Sequence, residues 1–297
     1  MEIFTKRYSS PRELVQRLKS RGLVIDNEQR AEAYIINIGY YRLSAYMYPY
    51  LSMPKTNHIF KKEVSFDNIL DLYRFDKKLR VLLFNEIEKI EIAFKEAVAN
   101  ITSQMTGDIF WMTNSKYFKS QIVYSKTYFL IEAEYNKSTE DFIKHFKCKY
   151  LDPFAPAWML SEIIPFGITI QLYRNLMDQR IRKQISKRFY LQPQALESWM
   201  TTIALTRNAC CHHSRVWNKV NSIIPADAKK MIRPWITMPV AKNRIYFNIC
   251  MIKYFMNIIS PNNDLKAKLN NLFVRFPQID LKAMGFPLGW EREPLWV

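Results

Sequence analysis

Glycine is scarce in this chain, with six among 297 residues, and neither a G-x-x-x-x-G-K-[ST] loop nor a dinucleotide fingerprint occurs. That excludes the Gly-rich loops with which many nucleotide-binding folds cradle phosphate. Cysteine is limited to four residues without paired spacing, which fits a reducing compartment and gives no Cys-x-x-Cys metal site. No stretch of about eighteen uninterrupted apolar residues is present, so no membrane span is expected. The opening run, residues 1–7, lacks the apolar core of a signal peptide, and a cytoplasmic location is the expectation. Acidic residues are also in deficit: 27 against 44 Lys and Arg, a net charge of +17. Such an excess favours polyanions through counterion release, which makes nucleic acid or an anionic membrane surface the natural partner. Simple solubility is the alternative reading of the same charge.

What is present is apolar and periodic. Hydrophobic residues make up 48% of the chain and no internal repeat is visible, so the composition points to a compact, strongly helical protein of one large or two small domains. Ser10-Pro11-Arg12-Glu13 is a capping box that starts a helix ending before Gly22, and Asp26-Asn27-Glu28-Gln29 starts a second that ends at Gly39. Tyr40-Tyr41-Arg42-Leu43 opens a short helix whose tyrosines either pack on the core or stack on bases. Residues 51–64 read as an exposed linker. A long helix is predicted over 65–105, with Leu70, Tyr73, Leu79, Leu82, Leu83, Ile87, Ile90 and Phe94 as its buried stripe.

Further helices are predicted near 120–136, 139–148, 241–259 and 262–273, with one or two over 168–190, and Pro225, Pro234 and Pro239 break the chain before the apolar 241–259 segment. Residues 277–297 form a tail for packing or docking. Arg180, Arg182, Lys183, Lys187 and Arg188 make a dense cationic run, a candidate track for RNA phosphates or an ordinary solvated face.

Residues 205–219 concentrate the chemistry, with two of the chain's four His side by side. They end an amphipathic helix that begins near Pro193, with Leu196, Trp199, Met200, Ile203 and Ala204 at helical spacing. On a continuing helix Asn208 and His212 share a face, which Arg215 and Lys219 extend, while His213 lies about 100° away. Arg207 is five residues before His212, and its length lets the guanidinium reach back. Cys210, Cys211, His212 and His213 in succession would point in four directions, so they cannot surround one metal ion.

The string Arg207-Asn208-x-x-x-His212, followed by His213, Arg215 and Trp217-Asn218, resembles the signature of the AbiD/AbiF abortive-infection proteins, a branch of the HEPN superfamily of helical ribonucleases. Tyr40-Tyr41-Arg42-Leu43, the segments 75–80 and 86–91, Trp158-Met159 with Glu162, and Phe166-Gly167 are similar to the same family. The resemblance runs from the tyrosine pair to Asn218 and weakens beyond residue 225; Cys211 departs from it, standing where relatives commonly have Ala.

The resemblance implies an all-α, HEPN-like helical bundle over residues 65–260, with an N-terminal helical extension (1–50) and a C-terminal helix and tail (261–297). It further implies a metal-independent endoribonuclease without cofactor, acting as an abortive-infection toxin in anti-phage defence. Arg207, Asn208 and His212 are its catalytic candidates. His213, Arg215, Glu88, Glu91 and Glu162 are supporting candidates, Glu88 or Glu91 as the carboxylate that orients Arg207. RNA, a second copy of the chain and an antitoxin RNA or protein are the partners expected. The alternative is a non-catalytic basic scaffold for RNA or a partner protein, with Arg207 and His212 in a polar core network.

Overall fold

A computed structural model of the chain describes residues 3, 5 and 7–297; the leader-peptide expectation drawn from residues 1–7 falls largely outside them. Among the described residues the elements are α-helices and short 3-10 turns, with β-pairing limited to three isolated bridges, so the fold is all-α. The chain divides into two compact units, residues 1–79 with 271–279 and residues 80–270 with 280–297.

The first unit begins with α1 (Pro11–Ser20), whose Ser10 and Glu13 exchange both bonds of the predicted capping box. Next comes α2 (Glu28–Ile38), where the Asn27 side chain accepts from the Arg30 N–H. Gly39, at φ +90°, turns the chain directly into α3 (Tyr40–Met47), a backbone angle that any side chain would strain. The tyrosines of α3 divide. Tyr46 is buried and donates to the buried carboxylate of Asp76 at 2.6 Å, whereas Tyr41 is 92% exposed.

Residues 51–64 are mostly exposed, as their polarity suggests, but the segment is anchored at three points. Leu51, Phe60 and Val64 are buried, and the segment folds back on itself through bonds from the Ser52 N–H to Ile59 O and from the Lys61 N–H to Tyr50 O. Widely spaced apolar residues suffice to anchor such a loop, although they are too sparse to register as periodicity. The unit is completed by the start of α4 (Phe66–Thr106), on which Phe75 contacts Phe273 and Phe276.

In the second unit α4 continues, followed by α5 (Gln121–Lys137), α6 (Asp141–Lys149), α7 (Ala157–Ile163), α8 (Phe166–Asn175), α9 (Gln179–Arg188), α10 (Pro193–Cys211), α11 (Ile245–Ile259) and the start of α12 (Leu265–Arg275), whose residues from 271 onward belong to the first unit. Leu79, Leu83, Ile87, Ile90 and Phe94 of the α4 stripe are wholly buried, and Phe94 meets the rings of Phe166, Tyr173 and Phe189. α10 neighbours α8, α9 and α11. Its Trp199 is buried against Trp235, Tyr254 and Phe255, and its indole N–H donates to Ala226 O at 2.9 Å. The non-helical segment 214–244 is thereby fastened across α10. The tail is packing material: Trp290 and Trp296 are buried.

Glu86 of α4 is fully buried and bonded by Lys268, Lys89 and Asn85 at 2.9, 2.9 and 3.1 Å. Burial raises its pKa, but these donors together outweigh burial and hold the carboxyl below its ordinary value. Because the folded pKa lies below the unfolded one, the stabilisation is present above the ordinary carboxylate range and is lost as pH falls through it. Glu86→Gln should therefore shrink the difference between stability at pH 7 and at pH 3–4 in urea titrations. An unchanged acid limb would place the acid sensitivity elsewhere.

Candidate active site

Pro193 at the first turn of α10 costs no hydrogen bond there, and Leu196, Trp199, Met200 and Ile203 bury the helix's core face as their spacing predicts. The helix stops at Cys211, earlier than its pattern suggests. His212 is the C-cap, with its N–H bonded to Asn208 O at 2.9 Å; His213 follows in the left-handed region at φ +57°. The His213 N–H bonds Cys210 O and the Ser214 N–H bonds Ala209 O, the paired bonds of a Schellman motif. Glycine usually marks such a stop, and its absence here hides the helix end in the sequence.

That stop corrects the extended helical face. Arg215 and Lys219 lie beyond the helix, so neither continues the row of Asn208 and His212; Arg215 is half-buried beside buried Val216 and Trp217. It also corrects the picture of four successive helical side chains, since only Cys210 and Cys211 are helical, and Cys210 is buried whereas His212 and His213 are exposed. Among the described residues no three His, Cys, Asp or Glu are grouped as metal ligands would be.

Arg207, Asn208 and His212 occupy the solvent-facing end of α10. The Arg207 side chain is 34% exposed; its Nε lies 3.3 Å from Glu91 Oε2, and its guanidinium carbon is 5.9 Å from the centre of the Phe84 ring. One terminal N–H reaches Asn208 Oδ1 at 3.4 Å, a long bond. The Nε contact is a charge pair without hydrogen-bond alignment. Glu91 also holds Lys95 at 3.4 Å and is itself 13% exposed, so one partly desolvated carboxylate faces two cations. In that setting the pair is stronger than on an open surface.

Of the three carboxylates singled out from sequence, Glu91 alone pairs with Arg207. Glu88 is exposed, and exposed Glu162 lines a separate depression with Glu134, Lys137 and Glu140. No signal along the chain marks Phe84, a ring far from Arg207 in sequence, as its neighbour. The reading of Arg207 and His212 as a core polar network is corrected for His212, which is exposed.

The cationic run is less uniform than its composition. Arg182 is 5% exposed and its Nη2 donates to Glu197 Oε2 at 2.7 Å, so it holds α9 to α10 and is not available to a phosphate. Glu197 binds Arg174 as well, at 2.8 Å. Arg180 is exposed but chelated by Asp178, the α9 cap, leaving Lys183, Lys187 and Arg188 as exposed cations of that helix. Glu197 lies outside the run in sequence, and this is why its neutralising effect was invisible there.

The second unit is thus a helical bundle whose α10 presents a guanidinium, an amide and an imidazole at one end. Over residues 33–218 the chain matches the family described as Abi-like protein, a span that ends just past this constellation, and the chain belongs to that family. No curated protein and no solved structure matches it. Among the described residues no helix is long and apolar enough to cross a membrane.

Proposed function

We propose that this Abi-like protein is a metal-independent endoribonuclease that acts as a toxin in abortive infection against phage. The observation carrying the proposal is the Glu91–Arg207 pair near the end of α10, which holds a guanidinium beside Asn208 and five residues before His212, the C-cap of the same helix. The resemblance of Arg207-Asn208-x-x-x-His212 to the HEPN ribonucleases supports the same reading.

RNA carries its own nucleophile. In the proposed reaction a base removes the 2′-OH proton, the 2′-oxygen attacks the adjacent phosphorus, and the bond from phosphorus to the 5′-oxygen breaks. A proton delivered to that 5′-oxygen completes the cleavage, giving a 2′,3′-cyclic phosphate and a 5′-hydroxyl. Imidazole is the side chain suited to such transfers near neutrality, and a guanidinium offers paired donors to the equatorial phosphoryl oxygens as their charge grows. Asn208 supplies an amide on the same exposed end of the helix.

Base and acid are needed in opposite protonation states, and each chain contributes one His212, so the active unit proposed is a two-fold dimer with the two α10 ends together. Activity per protomer should fall on dilution as dimers dissociate; full activity from a demonstrated monomer overturns the dimer. The function itself is tested with purified protein and a defined RNA in EDTA. Cyclic-phosphate products that disappear in Arg207→Ala are expected. RNA that survives intact, or cleavage that Arg207→Ala leaves unchanged, would return the chain to the binding-scaffold reading.

RNA is proposed to be held electrostatically by the exposed cations of α9. Each phosphate contact to a single strand contributes about 0.7 to the slope of log affinity against log salt. Neutralising Lys183, Lys187 and Arg188 together should flatten the slope by about 2. Arg182→Ala should leave the slope alone and instead lower stability by about 1.5–3 kcal/mol, through its lost bond to Glu197. A slope indifferent to the three exposed cations would make them ordinary solvated surface.

A further inference from the structure

A cavity of about 210 Å³ lies between α10, the segment that follows it and the start of α11. Leu205, Val216, Val220 and Ile245 give it apolar walls, and Thr206, Asn248 and Lys219 also line it. Asn248 is 3% exposed. Its Nδ2 donates to Thr206 Oγ1 at 2.9 Å, and Thr206 Oγ1 donates in turn to Thr202 O at 2.9 Å. A hydroxyl has one proton; with that proton on the Thr202 carbonyl, Thr206 can only accept from Asn248. The amide is therefore locked with its nitrogen on Thr206, and the remaining Oδ1 is buried without a hydrogen-bond partner.

A buried acceptor left without a donor is costly, so Asn248, a residue of the cavity wall, favours a ligand that brings an N–H and disfavours a phosphate or carboxylate oxygen. The walls call for an apolar face, and exposed Lys219 calls for an anion. A ring with an N–H on its edge, apolar faces and an attached phosphate satisfies all three. At about 30 Å³ per water in the liquid, 210 Å³ is the room of about seven waters, enough for a nucleobase.

We infer that this cavity receives one base of the bound RNA, the amino group of adenine or cytosine on Asn248 Oδ1 and a backbone phosphate at Lys219. The assignment to an RNA strand rests on the ribonuclease reading. Leu205, Thr206 and Ala209, which line the cavity, alternate along α10 with Arg207 and Asn208. A base seated here lies on the flank of the helix whose end holds the candidate catalytic groups, so the cavity selects which nucleotide stands beside the broken bond.

The test is binding of adenosine 5′-monophosphate, its N6,N6-dimethyl derivative and a 2′-O-methyl adenosine oligomer, which lacks the nucleophile and cannot be cleaved. The monophosphate and the oligomer should bind in competition, and the dimethyl derivative, deprived of its N–H, should bind at least ~10-fold more weakly. Val220→Trp fills the cavity from a position that is 56% exposed, and in a protein of unchanged melting temperature it should weaken both good ligands by a similar factor. Equal affinity for the dimethylated ligand, or no effect of Val220→Trp, overturns the site. An oligomer that does not compete with the monophosphate overturns its assignment to RNA. Cleavage that persists while the monophosphate fails to bind sinks this inference alone; binding that persists in a protein unable to cleave sinks the ribonuclease reading alone.

Discussion

His212→Ala is expected to lower RNA cleavage by about 10²–10⁴-fold, the usual worth of a positioned acid or base, while leaving the fold intact because the side chain is exposed. The contrast with His213 makes the experiment decisive. His213 occupies the left-handed position of the Schellman motif at φ +57°, where glycine is the least strained residue. His213→Gly should retain activity and match or exceed the parent stability, by up to about 1 kcal/mol. Cleavage that survives His212→Ala and vanishes in His213→Gly would reverse the assignment. Product analysis of the cleaved ends and urea unfolding of each variant supply the two readouts. Glu91 enters as a positioning residue: Glu91→Gln keeps the shape but removes the charge facing Arg207, so its effect should be smaller than that of His212→Ala.

Trp199→Ala should destabilise the protein by about 3–5 kcal/mol, in the range of large aromatic deletions from a packed core. The side chain is 1% exposed, contacts Trp235, Tyr254 and Phe255, and bonds the carbonyl of Ala226. Its removal opens a cavity and loosens segment 214–244 where that segment crosses α10. Because α10 also carries Arg207 and His212, activity should fall at temperatures well below the global unfolding midpoint. Ile122→Ala, at a residue 74% exposed, is the comparison and should change stability by less than about 0.5 kcal/mol. A Trp199→Ala protein as stable as its parent would mean that the site relaxes to fill the gap.

The helices were legible where local physics sets them. The Ser10–Glu13 capping box, the Asn27 cap and the glycine turn at Gly39 act within a few residues, and the structure places helix ends at each. The stripe from Leu79 to Phe94 is likewise a local signal, since a 3.6-residue period needs no knowledge of what covers it. The end of α10 is not legible in the sequence, because its stop is built on a histidine at φ +57°, where composition offers no cue.

Order along the chain is enough to show that this protein is helical and basic, which stretch carries its Arg, Asn and His, and which family it joins, because periodicity, charge and motif are properties of that order. Tertiary structure decided which charges act. It brought Glu91 to Arg207 and left Glu88 in solvent, turned Arg182 inward onto Glu197, and joined Asn248 to Thr206 beside an apolar cavity. Each of these depends on partners on another helix. A charge or an amide acquires its role from the burial and the neighbours that packing supplies, and neither can be read from its own segment.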